Sequence, residues 1–289
     1  MAPCRRIAPL RPSALVPFLL AVGAVCLAFP KGALPLGGPQ PVTVSIGGEV
    51  RRPGNHTLPP GSTLSSLLIA AGGFTDNAFP GGAILRRASA RAAQEAELRE
   101  TADRLYWETA NTRETRDAAH PVVQLLRTLA PSGRVPVRLA HPRLLKGSPA
   151  DLPLEEGDAL LVPPKADTVA VAGAVRADSA SVPFTAGLPY KEYIRRAGGY
   201  AGGADRGDVY LLRADGTVAL LSLGFVSWNP AASRWEVTAL AGTTPAFGPG
   251  DTIVVLRPPP RDLPPEAARE LPGILMRAAE IAGTPVALP

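Results

Sequence analysis

Leu64, Leu67, Leu68 and Ala71 follow the i, i+3, i+4, i+7 spacing that lines one face of a helix. The same stripe returns 126 positions later as Tyr190, Tyr193, Ile194 and Ala197. Each stripe ends at a glycine pair, Gly72-Gly73 and Gly198-Gly199, followed by an aromatic residue, Phe74 and Tyr200. Glycine just past a helix takes the left-handed conformation that closes the helix end. A stripe, a cap and an aromatic at one constant offset indicate an internal duplication.

The pattern around each helix is that of a small sheet. Val42, Val44 and Ile46 alternate with polar or small residues, which predicts a half-buried strand. Pro53-Gly54 marks a turn, and His56 to Leu58 returns as the second strand of a hairpin. The hydroxyl of Ser62 or Thr63 is expected to cap the first helix. Ala83 to Arg86 reads as a third strand, Val135 to Leu139 resumes strand character, and Gly157-Asp158 leads into a closing strand through Val162. In the second repeat Val169, Val171, Gly173, Val175 and Arg176 match Val44, Ile46, Gly48, Val50 and Arg51. Asp208 to Arg213 repeats the third strand, and Gly250-Asp251 opens the closing strand through Leu256. A hairpin is expected around Asn229-Pro230, from Phe225 to Trp228 and from Arg234 to Thr238.

Two segments fall outside the repeat. Between Arg87 and Pro131 the pattern predicts a surface helix from about Ser89 to Asp117, about 40 Å long at about 1.5 Å per residue, with a solvated charged face. Leu98, Ala102, Leu105 and Tyr106 form its stripe, with Glu95–Arg99 and Glu100–Arg104 as i, i+4 pairs. Pro121 suits the first turn of a second helix through Leu129. The second repeat has no equivalent, so residues 88–131 are an insertion into the first. At the C-terminus Leu271, Ile274, Leu275, Ala278 and Ile281 form an amphipathic stripe, which Pro272-Gly273 is expected to break or kink. The unbroken part, Gly273 to Ala282, is too short to span a bilayer and is expected to dock on a face of the repeats.

Length and composition narrow the picture. The chain has 289 residues, room for two modest domains, and its 29 Gly and 33 Pro favour short elements and turns. Arg5, Arg6 and Arg11 precede an apolar run from Ala14 to Phe29, so residues 1–28 read as a signal peptide or an N-terminal anchor. Setting these three arginines apart from the 30 basic residues leaves 27 against 25 acidic ones, which gives no electrostatic footprint for nucleic acid. Both cysteines, Cys4 and Cys26, lie in that leading segment, so the remainder has no disulfide and no cysteine metal site.

The series Val44-x-Ile46-x-Gly48-Glu49-Val50-x-x-Pro53-Gly54, Ala71-Gly72-Gly73 and Leu154-x-x-Gly157-Asp158 resembles the soluble-ligand-binding β-grasp (SLBB) family. Tandem repeats, a helical insertion in the first and a C-terminal amphipathic helix resemble the GfcC-like capsule-biosynthesis proteins, relatives of polysaccharide export proteins. The resemblance covers about residues 42–284 and implies an α+β fold. Its parts are a first β-grasp domain at 42–165, a second at 167–258 and the terminal helix at 263–284. It further implies a periplasmic accessory role in capsule or exopolysaccharide assembly and export. The partners so implied are a polysaccharide or oligosaccharide and outer-membrane export proteins; apart from the resemblance, the N-terminal segment and the C-terminal helix are the two places for a membrane association. The second repeat departs from the family pattern, with Ala177-Asp178 in place of Pro-Gly.

Chemistry is sparse. His56, His120 and His141 lack ligand-like spacing, and Glu155, Glu156 and Asp158 read as a turn rather than a carboxylate pair. No Gly-x-Ser-x-Gly, Walker or zinc-helix motif occurs, so neither an enzyme nor a cofactor or metal is expected. The candidate glycan-binding groups are Arg195 and Arg196 for acidic sugars, with Arg195 the more exposed, and Trp228 and Trp235 for stacking.

Overall fold

The computed structural model describes residues 40–177, 179–221, 227–229, 234–236 and 245–283. The leading segment read as a signal peptide or anchor lies outside them, as does Asp178 of the altered loop. Among the described residues no helix is long and apolar enough to cross a membrane.

The first repeat comprises β1 (Val42–Gly48), β2 (Gly54–Leu58), α1 (Leu64–Ala70), a single 3-10 turn at Pro80–Gly82 and β3 (Ile84–Arg86). Then follow α2 (Ala88–Glu108), α3 (Arg113–Thr128), β4 (Arg134–Val135), α4 (Pro142–Leu145) and β5 (Ala159–Val162). The second comprises β6 (Thr168–Gly173), β7 (Ser179–Pro183), α5 (Tyr190–Arg196), β8 (Val209–Leu212), β9 (Val218–Leu220), β10 (Ser227–Asn229), β11 (Arg234–Glu236) and β12 (Thr252–Val255), before α6 (Pro265–Ala282). The five-stranded sheets have the same order, β2-β1-β5-β3-β4 and β7-β6-β12-β8-β9, with β10-β11 a separate ribbon. In both, the first strand pairs parallel with the closing strand, Ile46 beside Leu160 and Val171 beside Ile253. Two tandem β-grasp units are therefore present, each with one helix across its sheet.

The duplication extends to atomic devices. Gly48 and Gly173 have φ of 80° and 90°, and a Cβ there would lie 2.0 Å from Val162 O and 2.2 Å from Val255 O. The following amides, Glu49 and Ala174, donate to those same carbonyls at 2.8 Å. Only glycine lets the chain turn this close to the closing strand. Both helices end in the same hydrogen-bonded cap, Gly73 N to Leu68 O and Gly72 N to Ile69 O, then Gly199 N to Ile194 O and Gly198 N to Arg195 O. Leu67 and Tyr193 occupy matching, fully buried positions.

Several expectations are corrected. Thr63 stands at the N-cap of α1, but neither its hydroxyl nor that of Ser62 caps the helix. Asp151 does so from 86 residues away, accepting the Ser65 amide and hydroxyl, both at 2.8 Å. The long helix breaks earlier, because Thr112 and Thr115 form a reciprocal cap that starts α3 at Arg113. Pro121 lies inside α3 and Pro272 inside an unbroken 18-residue α6. The buried neighbours Ala119 and Val122, and Leu271 and Leu275, hold these turns in place against the lost backbone bond. The strand expected at Val135 to Leu139 is only the two-residue β4.

The insertion is not a free surface helix. Leu98, Ala102 and Leu105 of α2 and Val122, Val123 and Leu126 of α3 share one core with Leu271, Leu275 and Ile281 of α6. That core also contains Leu212, Val254 and Leu256, from the face of the second sheet opposite α5. A hairpin inserted in the first repeat thus covers the second. The charged face expected to be solvated also ties the layer together. Arg277 forms a bidentate pair with Glu97 at 2.7 and 2.9 Å, and Arg104 bonds Glu270 at 2.6 Å. Glu95–Arg99 forms as expected, while Arg104 turns to Glu108 and Glu270 instead of Glu100. Docking of the terminal helix on a repeat is observed, with Ser132 Oγ donating to the Ile281 carbonyl at 2.6 Å.

Candidate functional site

Arg195 and Arg196 lie in the last turn of α5, on the side away from Tyr193 and Ile194, whose burial fixes the helix orientation. Their side chains are 73% and 40% exposed, so Arg195 faces water more, as its position between stripe residues implied. Neither is free. Arg195 grips Glu192 through Nε at 2.7 Å and a terminal nitrogen at 2.5 Å, and Arg196 Nε reaches the same carboxylate at 3.3 Å. Hydrogen bonding from Arg195, then from Arg196, holds the Glu192 carboxyl at about 2. The trio carries one net positive charge, and the Glu192 carboxylate fills one edge of the planar Arg195 fork. The spacing of three and four residues back to Glu192 was the sequence signal for this clamp.

Trp228 and Trp235 stand directly opposite each other in the β10–β11 ladder, so the expected hairpin forms among the described residues. Among the described residues that ribbon pairs with neither five-stranded sheet.

The carboxylates of the first closing turn serve structure. Asp158 is 1% exposed and accepts from Arg87 Nε at 3.0 Å, from an Arg87 terminal nitrogen at 2.7 Å and from the Glu155 amide at 2.9 Å. Glu155 pairs with Arg87 and Ser89, and Glu156 accepts the Thr43 amide at 2.6 Å. Asp251 closes the second repeat differently, accepting the Ala214 and Gly248 amides at 2.8 and 2.9 Å. Burial pushes its carboxyl above the usual value. No group of three or more His, Cys, Asp or Glu among the described residues is placed to hold a metal ion.

Superposing the repeats by register shows where they diverge. Ser66, Ile69 and Ala70 on the outer side of α1 become Glu192, Arg195 and Arg196 on α5, and Phe74 becomes Tyr200. The Arg206 guanidinium sits over the Tyr200 ring, 5.3 Å from its centroid. The sequence pattern does not mark Tyr200 or Arg206 for binding, because an aromatic after the glycine pair also reads as a core element. Trp107, 72% exposed near the end of α2 and edge-on to Tyr106, is another large aromatic that the pattern did not flag.

The SLBB domain model matches residues 43–95 and 168–221. Each match spans the hairpin, helix and third strand of one repeat, so the chain carries two tandem SLBB domains. No curated protein matches the chain.

Proposed function

We propose that this is a non-catalytic periplasmic accessory protein of capsule or exopolysaccharide assembly and export, which binds an acidic glycan through its second SLBB domain. One observation carries this reading. Two domains built on the same backbone devices differ at the outer end of the helix, where the second replaces Ser66, Ile69 and Ala70 by the Glu192–Arg195–Arg196 clamp. Conserving the scaffold fixes geometry, while exchanging the exposed positions supplies recognition. Trp228 and Trp235 enter this reading from the sequence alone, as residue types that stack on sugar rings.

The test is titration of the protein with acidic and neutral oligosaccharides at two ionic strengths. Acidic oligosaccharide binds at low salt, binding fades as salt screens the arginines, and Arg195→Glu with Arg196→Glu weakens it while the far-UV spectrum stays the same. Unchanged affinity of the double variant at low salt removes these arginines from the site. Cell fractionation with N-terminal sequencing tests the periplasmic location and the fate of residues 1–28.

The alternative role, as a structural part of an outer-membrane export assembly, has less support. The apolar face of α6 that such an assembly would engage is buried against α2, α3 and the second sheet, with Leu271, Leu275 and Ile281 each at most 2% exposed.

A further inference from the structure

The repeats act as internal controls for the loop after each helix. The first continues from Gly73 as Phe74-Thr75-Asp76-Asn77-Ala78-Phe79-Pro80, the second from Gly199 as Tyr200-Ala201-Gly202-Gly203-Ala204-Asp205-Arg206. In the first repeat this loop is filled and tied down. The Phe79 amide bonds Pro163 O at 2.9 Å, its ring lies where a Cβ on Gly82 or Gly250 would be (2.6 and 3.0 Å), and Lys165 Nζ reaches Asp76 O at 2.8 Å.

In the second repeat Asp205 stands at the position of Phe79 and makes the matching backbone bond, its amide to Leu256 O at 2.9 Å, but it brings no ring. A Cβ added at Gly202 or Gly203, where the first repeat has Asp76 and Asn77, would meet nothing within 4 Å. Tyr200 is held by its backbone to Val175 and packs half-buried against the core of the second repeat, and the Ala201 amide bonds Ala174 O at 2.9 Å, so the plate is anchored beside the open glycines. Arg206 covers the ring, and Arg176 and Arg196 flank the same helix end. The nearby acid Asp205 accepts the Gly207 amide at 2.8 Å, and Asp208 lies two residues beyond Arg206. Three arginines at this end offset both the acids and the carbonyl end of α5, which by itself repels anions.

We propose that Tyr200 and Arg206, with the open ground at Gly202 and Gly203, form a saccharide subsite selective for a sugar that carries a carboxylate. The C–H face of the sugar packs on the phenol ring, and its carboxylate takes both forks of the Arg206 guanidinium, which swings off the ring to meet it. The inference rests on the glycan-binding reading above and assigns it a place and a sugar class.

The experiment titrates the full chain with a tetramer of galacturonic acid and, separately, a tetramer of galactose at low salt. The unaltered protein binds the acidic tetramer at least about tenfold more tightly than the neutral one, and Tyr200→Ser and Arg206→Gln each weaken acid binding on the order of tenfold. Arg143→Gln, which removes an exposed arginine of the first repeat, leaves binding unchanged. Arg206→Gln carries the test alone if Tyr200→Ser fails to fold, because Arg206 is exposed and outside the core. Full affinity in Arg206→Gln, together with loss in the Arg195→Glu, Arg196→Glu variant, overturns the subsite and leaves the glycan reading intact. Equal affinity for the two tetramers overturns the carboxylate selectivity. Failure of the unaltered protein to bind either tetramer overturns the glycan reading and the subsite with it.

Discussion

The outer faces of the two sheets, on the side away from α1 and α5, have opposite fates. On the first sheet Ser45, Gly47, Ile84, Arg86 and Leu161 occupy that face, with Leu161 42% exposed. On the second the matching positions are Ala170, Ala172, Tyr210, Leu212 and Val254, and three helices pack over the last three, leaving Val254 1% exposed. Exchanging Ser for Ala, Gly for Ala and Arg for Leu turns a face that tolerates water into one that must be covered. The cover is supplied by an insertion from the other repeat and by the C-terminal helix. A duplicated unit has become two different domains, one self-sufficient on its outer side and one dependent on donated helices.

The largest test of this asymmetry is removal of α6. Leu271, Leu275, Met276 and Ile281 are buried, and at about 1.5–3 kcal/mol each they represent about 6–12 kcal/mol of burial, comparable with the whole stability of an ordinary domain. A chain ending at Pro260 is therefore expected to lose cooperative unfolding of the second repeat and to bind an apolar dye. An unchanged Tm with no dye binding would show that the layer is dispensable.

A second test separates the closing turns. Asp158→Ala removes two bonds from the Arg87 guanidinium, whose side chain is 13% exposed, leaves it Glu155 and the Pro153 carbonyl, and should cost about 1–3 kcal/mol in denaturant unfolding. Arg213, at the position matching Arg87, acts on Asp251 only through its field, so Arg213→Ala should cost less than about 1 kcal/mol. Equal losses would mean that the two turns close by the same interaction after all.

The smallest expected effect is pH-dependent. Asp208 stands where the first repeat has Gly82, and burial together with the neighbouring Asp205 raises its carboxyl above the usual value. A raised carboxyl in the folded state adds stability below the unfolded pKa, about 3.9, and that contribution is lost as pH rises through the folded value. Asp208→Asn should accordingly raise Tm at neutral pH and leave it unchanged at about pH 3. A lower Tm at neutral pH would show instead that the carboxylate makes a bond the fold needs.

Whatever is local and repeated is legible in the chain alone. The helix stripes, the glycine-pair caps, the tight glycines at 48 and 173 and the Gly-Asp turns each act within a few residues, and their constant offsets exposed the duplication. The exposure of Arg195 was also legible, and its clamp on Glu192 was within reach of the i, i+3 and i, i+4 rule. Tertiary structure decided what depends on partners distant in sequence. Asp151 caps a helix 86 residues before it, Arg87 meets Asp158, and α2 and α3 find their apolar partner in the other repeat. The same burial carries α3 and α6 through Pro121 and Pro272, where local propensity predicted ends. Tyr200 and Arg206 become a visible pair only on the folded backbone, because the stacking of a guanidinium on a ring six residues away has no period in the chain.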